Sequence, residues 1–200
     1  MKKHLFLLVG AVLSFLMFSA QSYAYDSYLS GNVGWTVSNN LDIKDTNNTV
    51  VIKLPLKTGI NVMGALGSRF DNIRIEGEFG YQTKDIDLAS LNGNLKILSL
   101  LANGYYDFYT EGIQPYVTAG IGAGRVTLSD FFTEGNQFNW DSGVTKLAYQ
   151  LGAGVAIPLN KSLSIDARYR YFALNDVTNG NLNKYTPAIS SVLIGLRFGL

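Results

Sequence analysis

The stretch Ile73-Arg-Ile-Glu-Gly-Glu-Phe-Gly-Tyr-Gln82 alternates with a period of two. Successive side chains of an extended chain point to opposite faces. Ile73, Ile75, Gly77, Phe79 and Tyr81 therefore share one side, and Arg74, Glu76, Glu78, Gly80 and Gln82 share the other. One face is apolar; the other carries charges of both signs, able to pair if they are enclosed. How many such strands the chain holds, and which face is inside, decide what the molecule is.

The same period recurs on both sides of this segment. Upstream, Ile52, Leu54, Leu56, Thr58, Ile60, Val62, Gly64 and Leu66 alternate with Lys53, Pro55, Lys57, Gly59, Asn61, Met63 and Ala65. That is longer than the roughly 9–11 residues a tilted membrane strand needs, and Pro55 marks its upper end as an edge-like extension beyond a bilayer. A first strand sets Leu29, Gly31, Val33, Trp35 and Val37 against Ser30, Asn32, Gly34 and Thr36. Downstream, a fourth strand covers Leu95 to Tyr105 with no clear register, and a fifth covers Tyr116 to Leu128, with Gly120, Gly122 and Gly124 on one side. The sixth sets Leu147, Tyr149, Leu151, Ala153, Val155 and Ile157 against Lys146, Ala148, Gln150, Gly152 and Gly154. The seventh sets Leu163, Ile165, Ala167, Tyr169 and Tyr171 against Ser164, Asp166, Arg168 and Arg170. The last sets Val192, Ile194, Leu196, Phe198 and Leu200 against Ser191, Leu193, Gly195, Arg197 and Gly199.

Eight strands close with both termini on one side. Gly67–Asn72, Asp107–Gln114 and Pro158–Ser162 are short connections; Asn39–Val51, Thr83–Asn94, Ser129–Gly143 and Asn175–Pro187 are longer and polar. Short periplasmic turns and long external loops are the asymmetry of a bacterial outer-membrane barrel. The expected fold is all-β: an eight-stranded antiparallel up-and-down transmembrane β-barrel.

The first residues point to the compartment. Lys2, Lys3 and His4 precede the apolar run Leu5 to Phe18, and Ser22-Tyr23-Ala24 supplies a small-x-small site. These are the three parts of a secretory signal peptide, so residues 1–24 are expected to be cleaved between Ala24 and Tyr25, leaving residues 25–200 as one barrel domain. A permanent membrane helix needs about 20 apolar residues, and Ser14, Ser19 and Gln21 cut this run short. No cysteine follows it to accept a lipid anchor.

Composition narrows the function classes. Loss of Lys2 and Lys3 takes the net charge from +1 to −1, which gives no electrostatic case for nucleic acid. With zero cysteines, an exported fold must be held by a sizeable core or by a membrane. After residue 24 no apolar run suits a membrane helix, so a membrane-embedded chain has to satisfy its backbone between strands and close the sheet.

Alternation alone leaves the faces open, since a lipocalin places apolar side chains inside. The inverted arrangement is favoured by Arg74, Glu76 and Glu78 on strand three and Asp166, Arg168 and Arg170 on strand seven. Those strands lie opposite in a ring of eight whose interior side chains fill, and Glu78 and Arg168 fall at similar depths. Tyr28, Tyr81, Tyr105, Tyr106, Phe108, Tyr109, Tyr171, Phe172 and Phe198 gather near strand ends, where interfacial girdles are expected. The expected interior polar cluster is Arg74, Glu76, Glu78, Lys146, Gln150, Asp166, Arg168, Arg170 and Arg197.

The segments Asn103-Gly-Tyr-Tyr-Asp-Phe108, Gly112-Ile-Gln-Pro-Tyr-Val-Thr-Ala-Gly-Ile-Gly-Ala-Gly124 and Ile75-Glu-Gly-Glu-Phe-Gly-Tyr81 resemble the opacity-type surface-antigen outer-membrane barrels. These are small eight-stranded barrels of the OmpA membrane-domain type, similar in outline to adhesin and invasin barrels. The resemblance implies a scaffold for external loops that contact a host or another partner, with outer-membrane lipid around it. Such barrels usually end in Phe, which the assembly machinery reads through the C-terminal strand; this chain ends Phe198-Gly-Leu200.

The one histidine is His4, so after cleavage a Ser-His-Asp triad, a Cys-His pair or a His-ligated zinc site has no members. Neither an enzyme nor a cofactor is expected. Glu76 and Glu78 share a face, but Arg74, Arg168 and Arg170 would neutralise them, so a structural plug is the preferred reading. Gly120-Ile-Gly-Ala-Gly124 lacks the spacing of a nucleotide fingerprint. Asp42, Asp45, Asp85 and Asp87 follow no calcium-loop pattern. The candidate contact site is the third long loop, with Phe131, Phe132, Phe138 and Trp140. Exposed aromatics suit a partner or lipid headgroups; equally, they suit a strand extended above the membrane with its aromatics folded together. A narrow pore for small solutes is the alternative function, and a soluble ligand-binding barrel a more distant one.

Overall fold

The computed structural model describes residues 26–37, 40–44, 50–55, 59–88, 91–108, 110–133, 136–138, 143–175, 177–179, 183–185 and 188–200. In 40–55, 85–94, 128–138 and 177–185 the description extends to backbone only. The expected signal segment with Ala24 and Tyr25, and also Tyr109 and Trp140, lie outside the described residues; the side chains of Phe131, Phe132 and Phe138 do too.

Eight long strands form the wall: β1 (Asp26–Val37), β2 (Ile60–Phe70), β3 (Ile73–Leu88), β4 (Leu91–Asp107), β5 (Gln114–Thr133), β6 (Val144–Pro158), β7 (Leu163–Leu174) and β8 (Ala188–Gly199). Each pairs antiparallel with its sequence neighbours. β1 then pairs with β8, from Tyr28 opposite Gly199 to Val37 opposite Ser190, and the ring closes. Closure leaves no unpaired edge, which is what a sheet surrounded by hydrocarbon requires.

The β2–β3 hairpin turns on Asp71-Asn72 alone. Asp71 takes a left-handed φ of 52°, a conformation that aspartate and asparagine adopt more readily than other non-glycine residues. Gly112, with φ 89°, makes the turn between β4 and β5 in a conformation open to glycine without steric cost.

The apolar faces point outward. Trp35, Val62, Phe79, Ile121, Leu151, Tyr169 and Ile194 are all exposed on the outer wall, as only a lipid-facing surface tolerates in such continuity. The lipocalin arrangement is thereby excluded. The inward positions hold Asn61, Arg74, Glu76, Glu78, Gln150, Asp166, Arg168 and Arg170, all buried.

Three expectations are corrected. The second strand does not run unbroken from residue 52. Its barrel portion starts at Ile60, while Val50–Pro55 is an edge of a separate four-stranded sheet with Asn40–Lys44, Asn183–Tyr185 and Val177–Asn179. Alternation is continuous across the break, so period could not locate it; Pro55, the last residue of that edge strand, marks it. Two of the expected loops thus pair with each other outside the ring.

The long connections of the middle strands are also largely strand. β3 and β4 stay paired up to Leu88 and Leu91, and β5 continues to Thr133, folding back on Asn136–Phe138.

Thirdly, the aromatic girdle is smaller than expected. Tyr81, Tyr106, Phe108, Tyr171 and Phe198 do face outward, but Tyr28, Tyr105 and Phe172 are buried inside. Their parity places them with Ser30, Asn103 and Arg170, and their neighbours there are guanidinium groups.

The lumen divides by depth. Toward the short turns it is charged. Toward the long connections it is mainly apolar, filled by Leu95, Ile97, Leu101, Val126, Ala148, Phe172, Leu174 and Ile189, with Gln82 and Lys84 buried at the level of Ile97 and Leu95. Leu95, Ile97 and Leu101 come from β4, whose two faces are therefore both apolar in this half. That removes the contrast from which its register would be read.

Candidate functional site: the charged lumen

Glu78 stands at the centre of the charged half. Arg168 Nη2 on the opposite wall reaches its Oε2 at 3.2 Å, and Arg170 Nη2 reaches its Oε1 at 3.2 Å. Asn103 Nδ2 donates to the same Oε2 at 3.2 Å. Gln150 Nε2 donates to Asn103 Oδ1 at 2.5 Å, and its Oε1 accepts from Arg170 Nε. Arg168 Nη1 donates to the Tyr105 hydroxyl at 2.5 Å. The Met63 sulfur lies 3.3 Å from Arg170 Nη1, so a soft, polarisable atom fills the remaining space.

A second layer lies nearer the short turns. Arg74 Nε and Nη2 hold both oxygens of Asp107, each at 2.8 Å. This is the two-pronged geometry that makes arginine–carboxylate pairs strong and directional. The same guanidinium lies over the Tyr105 ring at 4.3 Å and the Tyr116 ring at 4.9 Å, a cation–π contact strengthened by desolvation. Tyr28 donates to Glu76 Oε1 at 2.7 Å. Asp166 takes Arg197 Nη2 at 2.5 Å and the Tyr116 hydroxyl on its other oxygen.

Glycines make room for these groups. A Cβ on Gly67 would lie 2.6 Å from the Tyr28 hydroxyl, and one on Gly154 would lie 2.5 Å from the Tyr116 hydroxyl.

Four guanidinium groups, of Arg74, Arg168, Arg170 and Arg197, thus meet four carboxylates, of Glu76, Glu78, Asp107 and Asp166. These eight charges balance, although each alone would be costly to bury; the partly exposed Arg69 also reaches Asp107 at 3.6 Å, and Lys84 Nζ is buried on the inward face of β3 with no partner among the described residues. Of the cluster expected from sequence, these seven charged residues and Gln150 are brought together. Lys146 is not: it is half-buried on β6 with no ion pair among the described residues. Asp107, Tyr28, Tyr105, Tyr116 and Asn103 belong to the network without having been singled out. Their parity was available, but Asp107 sits at a strand end, and Tyr28 and Tyr105 had a competing girdle role. Among the described residues no three His, Cys, Asp or Glu side chains converge to hold a metal. The arrangement offers rigidity: each of these four carboxylates is engaged by an arginine.

A closed antiparallel ring with an apolar exterior and a polar, filled interior defines a transmembrane β-barrel. The chain belongs to the outer membrane protein beta-barrel domain family, whose profile matches residues 10–198. It is similar in fold to Neisserial surface protein A, with a TM-score of 0.56 at 18% identity over 87% of this chain and 97% of that one. It is also similar to the outer membrane protease OmpT from Escherichia coli, with a TM-score of 0.51 at 6% identity over 90% and 99%. The attachment invasion locus protein Ail of Yersinia pestis aligns with a TM-score of 0.43 at 19% identity over 86% and 99%. No curated protein sequence matches the chain.

Proposed function

We propose that this outer-membrane barrel is a non-enzymatic, non-conducting anchor that holds its external segments at the cell surface for contact with a host or another partner. The observation that carries the reading is the plug of four arginines and four carboxylates, with a mainly apolar cluster beyond it toward the outside. An interior only wide enough for side chains, filled in this way, has nothing left to conduct through. The external ends of β3, β4 and β5 continue beyond the length a membrane strand needs, and that length favours display. Each plug carboxylate is held by an arginine, which argues against acid–base work there. The reading includes export by residues 1–24, with cleavage before Tyr25, and N-terminal sequencing of protein from the outer-membrane fraction tests that part.

The test of display uses the full chain in cells that do not adhere by themselves, with each long connection shortened in turn. Adhesion to cultured host cells is expected to appear with the full chain and to fall when residues 129–143 are replaced by a short turn. Adhesion unchanged by all four replacements would contradict a role in the external segments.

A further inference from the structure

The outward-facing strand positions are almost uniform. Among the described side chains they are apolar residues, tyrosines, glycines, serines and threonines, with two exceptions: Lys96 on β4 and Arg125 on β5. No outward-facing acid stands among them. The two cations fall on adjacent strands at the external end. Lys96 pairs with Thr127 and Leu98 with Arg125, so the cations are diagonal neighbours, with Cβ atoms about 7–8 Å apart by sheet geometry. Thr83 pairs with Lys96, and Thr145 with Arg125. Three hydroxyls therefore flank the two charges on the same face, and neither cation has an ion-pair partner among the described residues.

Gly143 gives the patch its shape. A Cβ on Gly143 would overlap the Arg125 guanidinium, so that group lies over the glycine. Gly143 is one residue before Val144, which pairs with Val126, so the Arg125 side chain leans toward the external end, away from hydrocarbon. Leu98, Tyr81 and Leu147 stand beside and below the patch on the lipid-facing wall. A cation at this boundary extends its charge to the headgroup layer.

We propose that Lys96 and Arg125, with Thr83, Thr127 and Thr145, bind the phosphate of a phosphorylated glycolipid in the external leaflet. The position selects a lipid over a soluble anion, because the patch lies on the outer wall where the neighbouring molecule is lipid. An arginine fork and an ammonium complement a phosphate, and the threonines supply donors to its remaining oxygens.

The test uses the full-length protein in detergent micelles, with diphosphoryl lipid A or its dephosphorylated counterpart, and bound lipid counted by native mass spectrometry. Wild type is expected to retain the phosphorylated lipid. K96Q/R125Q is expected to lose it by about tenfold or more, two cations being removed from a headgroup contact. G143V leaves both charges in place but fills the seat of the guanidinium, and it too should weaken retention. K161Q, in an exposed turn at the opposite end, should change nothing. Heat-modifiable gel migration verifies that each variant is folded, and G143V serves if the double variant is not. Equal retention by the folded variants, equal binding of the dephosphorylated lipid, or displacement by millimolar inorganic phosphate would each overturn the proposal.

Discussion

Glu78 accepts hydrogen bonds from Arg168 and Arg170 at once, so its removal leaves two guanidinium groups without a carboxylate in a water-poor interior. Breaking a buried pair from one side costs about 3–5 kcal/mol. E78Q is expected to lose that much in urea unfolding of the barrel in detergent micelles. The combined variant E78Q/R168Q should cost less than the sum of the two single changes, because each removes part of what the other leaves unpaired. Additive losses would mean that the pair is not coupled. Gly154 makes a second residue-scale point. G154V places its Cβ against the Tyr116 hydroxyl and the Ala167 carbonyl, and overpacking of this kind costs about 1–3 kcal/mol. The same assay reads it, and a neutral outcome would contradict the tight seat described for Tyr116. Glu78, Arg168 and Arg170 were legible in the sequence because charges of opposite sign sat on the polar face of alternating strands. Asp107 was not, since the last residue before a turn has no alternation beyond it to fix its side.

The strands differ in how openly the sequence declares them. β8 reads without ambiguity, because Val192, Ile194, Leu196 and Phe198 alternate with Ser191, Leu193, Gly195 and Arg197 and face outward as a set. β4 does not, because Leu95, Ile97 and Leu101 line the lumen while Leu98 and Leu100 lie on the outer side. Two apolar faces erase the period, and only pairing with β3 and β5 sets the register. The sheet outside the ring was illegible for a different reason: pairing between Asn40–Lys44 and Asn183–Tyr185 joins segments far apart in the chain, and no local pattern encodes such a contact. The outward reading of β8 has a direct check. Ile194 is the middle of its lipid-facing row, and arginine near the bilayer midplane costs about 2–4 kcal/mol. I194R should reduce folding stability in lipid vesicles by that amount, whereas L193R points into the lumen and should fail through crowding even in detergent. Equal stability of I194R and wild type in vesicles would place that face away from lipid.

At the scale of the whole molecule, one closure both pairs the backbone of the wall and assembles the charged interior. The ring pairs every strand with two neighbours, and its closure brings four arginines and four carboxylates together in the interior. The expected export signal, the strand count and the inverted faces each narrowed the architecture from sequence. The apolar cap above the plug did not emerge there, because its members come from five strands and meet only when the ring closes.

The proposed non-conducting lumen is the centre of the account, and planar-bilayer recording tests it most directly. Purified wild-type protein, shown to be folded by heat-modifiable migration, is predicted to give no stable conductance steps. Reproducible ohmic steps from the wild type, altered in size by R168A, would contradict it and make the molecule a pore.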